Sequence, residues 1–231
     1  MSKTMLLAAS AALVLVGTGE VCAGVAGPAV SVKAEPKQRN ILFPHRGSRL
    51  LYDQNDADNT QAIVAQNFES SFDSYDCEAA DDFRVPSGTI WNINKVHAAG
   101  NAFDGAGPAD SFNVTFYASK KGKVGKAVSS CANASYTYSD TAFGSVDIKC
   151  KAHLAKGAYF VAIQANMDFS KGGEWGWMTN NTVRGAASLW RNPRDGFATG
   201  CTDFTTTTSC IPNGEGGDFA FALYGKQSSG L

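Results

Sequence analysis

The sequence predicts an all-β fold, a two-sheet antiparallel β-sandwich of jelly-roll type, in a chain of 231 residues. Three observations predict it. Short segments alternate apolar and polar residues with the period of two that half-buried strands show. Clusters of Gly, Pro, Asn and Asp separate these segments. Charge is sparse, at 18% of residues, and Gly is frequent, at 24, a composition suited to many turns around one core.

The N-terminus is read first. Lys3 is the one charge before Glu20, and Met5 to Val16 is an apolar run of Leu, Ala and Val. That run is shorter than the ~20 apolar residues a bilayer needs and has the flanks of a signal-peptide core. Val21-Cys22-Ala23 places small residues at the −3 and −1 positions, so residues 1–23 are expected to be a signal peptide cleaved after Ala23. Residues 24–47 hold Pro28, Pro36 and Pro44 and a basic bias, and read as a linker or pro-segment. Residues 48–226 are expected to form the sandwich domain, and residues 227–231 a flexible tail with no anchor after it. No other apolar run is long enough to span a membrane.

Three segments carry the alternation most clearly. In Ser111 to Ala118, Phe112, Val114 and Phe116 share one face, and Asn113, Thr115 and Tyr117 the other. In Ala158 to Gln164, Tyr159, Val161 and Ile163 share a face; in Asp218 to Tyr224, Phe219, Phe221 and Leu223 do. Less regular strand candidates lie at 62–68, 82–85, 90–98, 128–138 and 144–150. Turn signals stand between them, among them Pro86, Ser87 and Gly88, and Lys121 to Gly125. The spacing suggests roughly eight or nine strands.

Cysteine usage agrees with export. Cys22 leaves with the leader; Cys77, Cys131, Cys150, Cys201 and Cys210 remain. No pair has C-x-x-C spacing, which makes a zinc site a poor reading. A hairpin that sets Tyr138 opposite Phe143 also sets Cys131 opposite Cys150, within disulfide reach. Cys201 and Cys210 would close a short Thr-rich loop, worth roughly 2.5–3 kcal/mol by chain entropy. Cys77 is then unpaired, although these cysteines admit other connectivities.

The stretch from Tyr52 to Tyr224 resembles a β-sandwich module of secreted and surface proteins of bacteria, proteobacteria above all. The likeness rests on Gln66-Asn67-Phe68-Glu69, Phe72-Asp73-Ser74-Tyr75-Asp76, Ala79-Ala80-Asp81-Asp82-Phe83 and Gly107-Pro108-Ala109-Asp110-Ser111-Phe112-Asn113-Val114. It continues in Gln164-Ala165-Asn166-Met167-Asp168-Phe169, Trp175-Gly176-Trp177, Trp190-Arg191-Asn192-Pro193, Thr199-Gly200-Cys201 and Gly217-Asp218-Phe219. The resemblance implies a non-catalytic module, here standing almost alone.

Net charge is −1 and stays so once Lys3 and Glu20 leave, so there is no electrostatic footprint for nucleic acid. Asp81 and Asp82 are adjacent, and adjacent strand residues face opposite ways, which excludes them as a paired acid and base across one cleft. Calcium is a better use for acids at strand ends and in Gly-rich turns, and the candidates are Asp81, Asp82, Asp104, Asp110 and Asp218. The bland alternative is solvated or turn-capping aspartates. Trp175 and Trp177, two apart, project to one side of a strand, followed by Trp190, Arg191 and Asn192. Flat aromatic faces beside Arg and Asn suit sugar rings; the competing placement is the core, since Trp is costly to expose. Asn113, Asn133 and Asn180 begin N-x-S/T sequons.

These observations point to a secreted, non-catalytic binding module for a polysaccharide or cell-surface glycan. A structural or adhesive matrix protein is the alternative, and a hydrolase is less favoured because His45, His97 and His153 are scattered and no nucleophile elbow occurs. Secreted material should begin near Gly24; N-terminal sequencing that reads Met1 would refute the leader.

Overall fold

The structure, a computed structural model, describes residues 27–33, 47–58, 61–140, 144–212 and 217–230. The expected signal peptide, its cleavage point and most of the 24–47 segment lie outside the described residues.

The chain forms strands β1 (Ser31–Lys33), β2 (Arg49–Asp53), β3 (Gln61–Val64), β4 (Gln66–Asn67), β5 (Glu78–Ala98), β6 (Gly100–Phe103), β7 (Ser111–Lys120) and β8 (Lys123–Ala134). It continues with β9 (Tyr136–Asp140), β10 (Ser145–Ile148), β11 (Ala152–Asn166), β12 (Glu174–Asn180), β13 (Leu189–Arg191), β14 (Thr205–Thr206), β15 (Asp218–Phe219) and β16 (Phe221–Ser229). Among the described residues helix is confined to short turns at Ser70–Tyr75, Phe169–Gly172 and Thr207–Cys210. The expected sandwich is therefore seen, with more strand segments than the spacing suggests, several of two to four residues, while β5 fuses the candidates at 82–85 and 90–98.

The small sheet has the order β1-β3-β12-β15, with β6 also on β12. The large sheet has the order β14-β13-β5-β11-β7-β8. Its remaining strands gather on β5 and β11: β16 and β10 pair with β5, β2 with β16, β9 with β10, and β4 runs parallel to β11. The 21-residue β5 is the hub. β11 pairs Gly157 with Val85 and Ala155 with Ile90, so Pro86, Ser87 and Gly88 loop out between them. Pro86 brings no N–H to the ladder and Gly88 has φ +73°, the combination a bulge uses to bend a strand. β11 follows β5 on both sides of this bulge; the first half of β5 also takes β13, and the second half takes β10 and β16.

β7 is as its alternation predicts. Phe112, Val114 and Phe116 are fully buried between the sheets, and Tyr117 faces outward. β11 departs from simple alternation. Val161 and Ile163 join the main core, and Phe160 and Ala162 are buried as well, on the opposite face. The stretch 218–224 is not one strand: β15 belongs to the small sheet and β16 to the large one, and the chain crosses between them at Ala220. There Ala220 N–H donates to the Met178 carbonyl and its own carbonyl receives Ala99 N–H, so the crossing leaves no backbone group orphaned.

Both ends of the domain extend further than the sequence suggests. Ser31–Lys33, inside the expected linker, adds to the edge of β3, and Ala29 N–H donates to Glu174 at 2.8 Å. β16 runs to Ser229, pairing Gln227 with Trp91 and Ser229 with Thr89, where a flexible tail is expected.

Two disulfides form, Cys131–Cys150 and Cys201–Cys210, with Cα atoms 5.7 and 5.8 Å apart, and Cys77 is free and buried. The register expected for the first bridge is not the one found. β10 pairs Val146 with Tyr138, and β9 alone makes that hairpin. Cys131 sits instead on β8, opposite Val114 of β7, and meets Cys150 just beyond β10. The pair is right because β8 and β9 are consecutive and pass the same end of β10, not because of a shared ladder.

Trp177 is fully buried, stacked on Phe219 with ring centroids 4.7 Å apart, and its indole N–H donates to the Ala220 carbonyl at 2.9 Å. Replacing it with Ala should cost about 3–5 kcal/mol, read as a large fall in melting temperature. A melt unchanged from wild type would contradict this packing.

Candidate functional site

The residues expected to form a sugar platform are in the core. Trp175 and Trp177 do share one side of β12, as their spacing requires, but that side faces inward. Trp175 meets the edge of Phe112 at 5.0 Å and donates its indole N–H to the Gly144 carbonyl. The other side of β12 is not bare either, since a Cβ placed on Gly176 would lie 2.9 Å from the Ala62 Cβ. Trp190 is fully buried and donates to the Val64 carbonyl at 2.8 Å. Asn192 is also buried: its amide donates to the carbonyls of Ser74 and Asp76, and its oxygen receives Phe197 N–H. An apolar surface that large gains more from burial than from waiting for a ligand. Of the expected ligand-binding set, Arg191 alone reaches the surface, because it follows Trp190 on β13 and so points the opposite way.

The aspartates expected to bind calcium do not come together as a set. Among the described residues no group of three or more His, Cys, Asp or Glu side chains has metal-binding geometry. Asp104 lies beside Glu174, and Asp110 is elsewhere, its N–H on the Asn166 carbonyl. Asp81, Asp82 and Asp218 are neighbours, and each gives at least one oxygen to a backbone or amide donor, while Asp218 Oδ1 is buried without a partner among the described residues. Asp81 accepts from Gln54 Nε2 at 2.8 Å and from the N–H groups of Phe219 and Asp82. Asp82 accepts Ala186 N–H at 2.9 Å, and Asp218 accepts Arg184 N–H. Gly185, between those two donors, has φ +98° and no room for a Cβ against the Asp82 carboxylate. These acids fasten the start of the 183–206 segment.

That segment builds the site the structure does offer. Arg191 pairs with Glu78 across β13 and β5, and Tyr117 pairs with Phe160 across β7 and β11. All four belong to the outward face of the large sheet. Glu78 Oε2 receives Arg191 Nε at 3.0 Å and Nη2 at 2.6 Å, and Glu78 Oε1 receives the Tyr117 hydroxyl at 3.2 Å. The guanidinium lies 4.3 Å from the centroid of the Phe204 ring, within cation–π range. Phe204 meets Tyr117 edge-on at 5.9 Å. Phe204 comes from the loop closed by Cys201–Cys210.

Between this loop and the β7–β8 hairpin lies a groove of about 560 Å3, lined by Tyr117, Phe204, Arg191, Asp203, Lys123 and Leu189 among others. Burial, reinforced by the Glu78 carboxylate, pushes the Tyr117 phenol up to about 12, so it stays a hydrogen-bond donor. Asp203 is the carboxylate that lines the groove. Glu78 is held by Arg191 and Tyr117. The groove thus offers two aromatic rings, an apolar floor, two cations, one carboxylate and threonine hydroxyls. This is the mix of broad apolar contact and few polar fixtures that small-ligand sites use. Sequence reading noted the outward face of Tyr117 and the Thr-rich loop but not Phe204 or Asp203, since nothing local joins residues from β7, β13 and that loop.

Comparisons with known protein families, with curated proteins and with solved structures find no match to this chain.

Burial is the main cause that pushes the Asp218 carboxyl up to about 6; the N–H from Arg184 opposes it and the Asp82 charge adds to it. A carboxyl raised on folding favours the folded state below its unfolded value, near 3.9, and that contribution is lost as pH rises through 6. Asp218→Asn, neutral throughout, should therefore gain stability relative to wild type between about pH 4 and about pH 8, by about 1–3 kcal/mol. Thermal melts across that range check it, and a constant difference would contradict it.

Proposed function

We propose that this protein is a secreted, non-catalytic binding module that holds a carbohydrate chain in the Tyr117–Phe204–Arg191 groove. The observation that carries the reading is the pair of half-exposed aromatic rings with Arg191 fixed against them by Glu78. The C–H face of a sugar ring can lie against Phe204 and Tyr117, while its hydroxyls meet Arg191, Lys123, Asp203 and the threonines. Export is supported by the two disulfides, which persist in oxidising compartments, and by the apolar run and small-residue cleavage site at the N-terminus. A binding rather than hydrolytic role is supported by the chemistry of the lining. Glycoside hydrolysis uses two carboxyl groups across a cleft; among the described residues Asp203 is the one carboxylate lining the groove, and Glu78 is committed to Arg191 and Tyr117.

A glycan array with wild type and Phe204→Ala tests the reading. Phe204 is half-buried and helps roof the outer cluster, so its loss should cost about 1–2 kcal/mol, a modest fall in the melt with the fold intact. Retention of specific glycans should fall about tenfold or more, the worth of one aromatic contact of roughly 1.5 kcal/mol. Retention of no glycan by wild type would reject the proposal in favour of an adhesive or structural role. Retention unaffected by Phe204→Ala would reject the groove as its site.

A further inference from the structure

A second concavity lies on the large sheet, built from different residues. In adjacent strands β16, β5 and β11, Lys226 pairs with Asn92, and Asn92 with His153. Residues opposed in register share a face, so these three side chains stand in one row across the sheet. The Asn92 amide oxygen lies 2.8 Å from His153 Nδ1. An amide oxygen can only accept, which makes Nδ1 the donor in this contact. Lys151 closes the end of the row. It follows Cys150, whose bridge to Cys131 ties this point to β8, and its carbonyl receives the Ser129 hydroxyl at 3.5 Å.

The resulting cavity measures about 410 Å3 and is lined by Lys151, Lys226, His153, Asn92, Asn94 and Ser129 over a floor of Ile93 and Ala152. Among the described residues no carboxylate lines it. In a chain of net charge −1 a basic concavity free of acids is a local arrangement, not a consequence of overall charge. Lysine ammonium groups act as mobile point charges, and amide and hydroxyl groups beside them add directional donors. Lys151, His153 and Lys226 are exposed, so an anion carried on a larger molecule can reach them.

We infer that this concavity binds an oxyanion group, a sulfate ester or a phosphate, carried on an extended ligand. Two ammonium groups and the amide donors meet the oxygens, and the attraction weakens with salt because the site faces solvent. The site stands apart from the Tyr117–Phe204–Arg191 groove and does not rest on the function assigned there.

Retention on beads carrying dextran sulfate, polyphosphate or uncharged dextran tests it. Wild type should bind one or both charged polymers, be released by salt, and ignore dextran; the polymer retained tells sulfate ester from phosphate. Lys151→Gln with Lys226→Gln should weaken that retention roughly tenfold, the loss for two exposed charge contacts. Lys33→Gln with Lys121→Gln removes the same charge elsewhere and should not. Lys151→Gln alone lies outside the strand ladder and should show part of the loss, even where a change at Lys226 unsettles β16. On polyphosphate, which carries no sugar ring, Phe204→Ala should leave retention unchanged, which separates this site from the groove. Failure of wild type to bind either charged polymer, binding equal to wild type in the double variant, or an equal loss in the Lys33 and Lys121 control would overturn the inference.

Discussion

The first half of β5 must be covered on both faces, and the rest of the molecule is arranged to do so. Ala79 and Ala80 point in opposite directions and both are fully buried. The inner face meets the main core between the sheets, where Ala79 packs with Phe83, Val161 and Ile163. The outer face has its own small cluster, Ala80, Phe160, Ala162 and Leu189, roofed by Tyr117, Val124 and Phe204. One face of an antiparallel sheet can normally stay wet. Here small and apolar residues on the outer side forbid it, so the chain returns after β12 to flank β5 with β13 and lay the 201–206 stretch beyond it. The groove is the rim of that cover, where burial stops being complete.

Position within the core is enforced by polar groups aimed at backbone. The indole N–H groups of Trp175, Trp177 and Trp190 each donate to a carbonyl from a different part of the chain, Gly144, Ala220 and Val64. The buried amides of Gln54, Gln66 and Asn180 do the same between segments far apart in sequence. Apolar burial supplies most of the driving force and has no direction. A buried donor that loses its acceptor costs its full desolvation, so these bonds select one arrangement of the two sheets among many of similar apolar area.

The two disulfides lie at the periphery and each steadies a candidate surface. Cys201–Cys210 closes the loop that carries Asp203 and Phe204. Cys131–Cys150 fixes Lys151 beside β8. Asp203, Phe204 and Lys151 lie outside the strands that carry the rest of each surface, and a bridge holds them where no ladder does. Cys77, by contrast, is packed against β3 and β4, receiving Gln66 N–H and donating to the Val64 carbonyl, and burial pushes its thiol up. It behaves as a small core residue.

What the sequence determined by itself is whatever depends on neighbours along the chain. Alternation in Ser111 to Ala118 marked β7 and its inward face, because side-chain direction in a strand is set by parity alone. Turn residues at 86–88 and 121–125 marked where strands bend or end. The cysteine pairs were legible because each lies close in sequence, although the ladder invoked for Cys131 was wrong. What only the tertiary structure decided is which face of a strand meets protein and which meets water. Trp175 and Trp177 look the same from sequence on a binding surface or in a core, and the second sheet settles that they are core. Asp81, Asp82 and Asp218 read as calcium ligands until the fold shows the backbone N–H groups of Arg184 and Ala186 on Asp218 and Asp82, and Gln54 and Phe219 on Asp81. The groove joins Tyr117, Arg191 and Phe204 from three distant segments, and the charged row joins Lys226, Asn92 and His153 across three strands. Register between strands, which no local pattern encodes, is what brings such residues together.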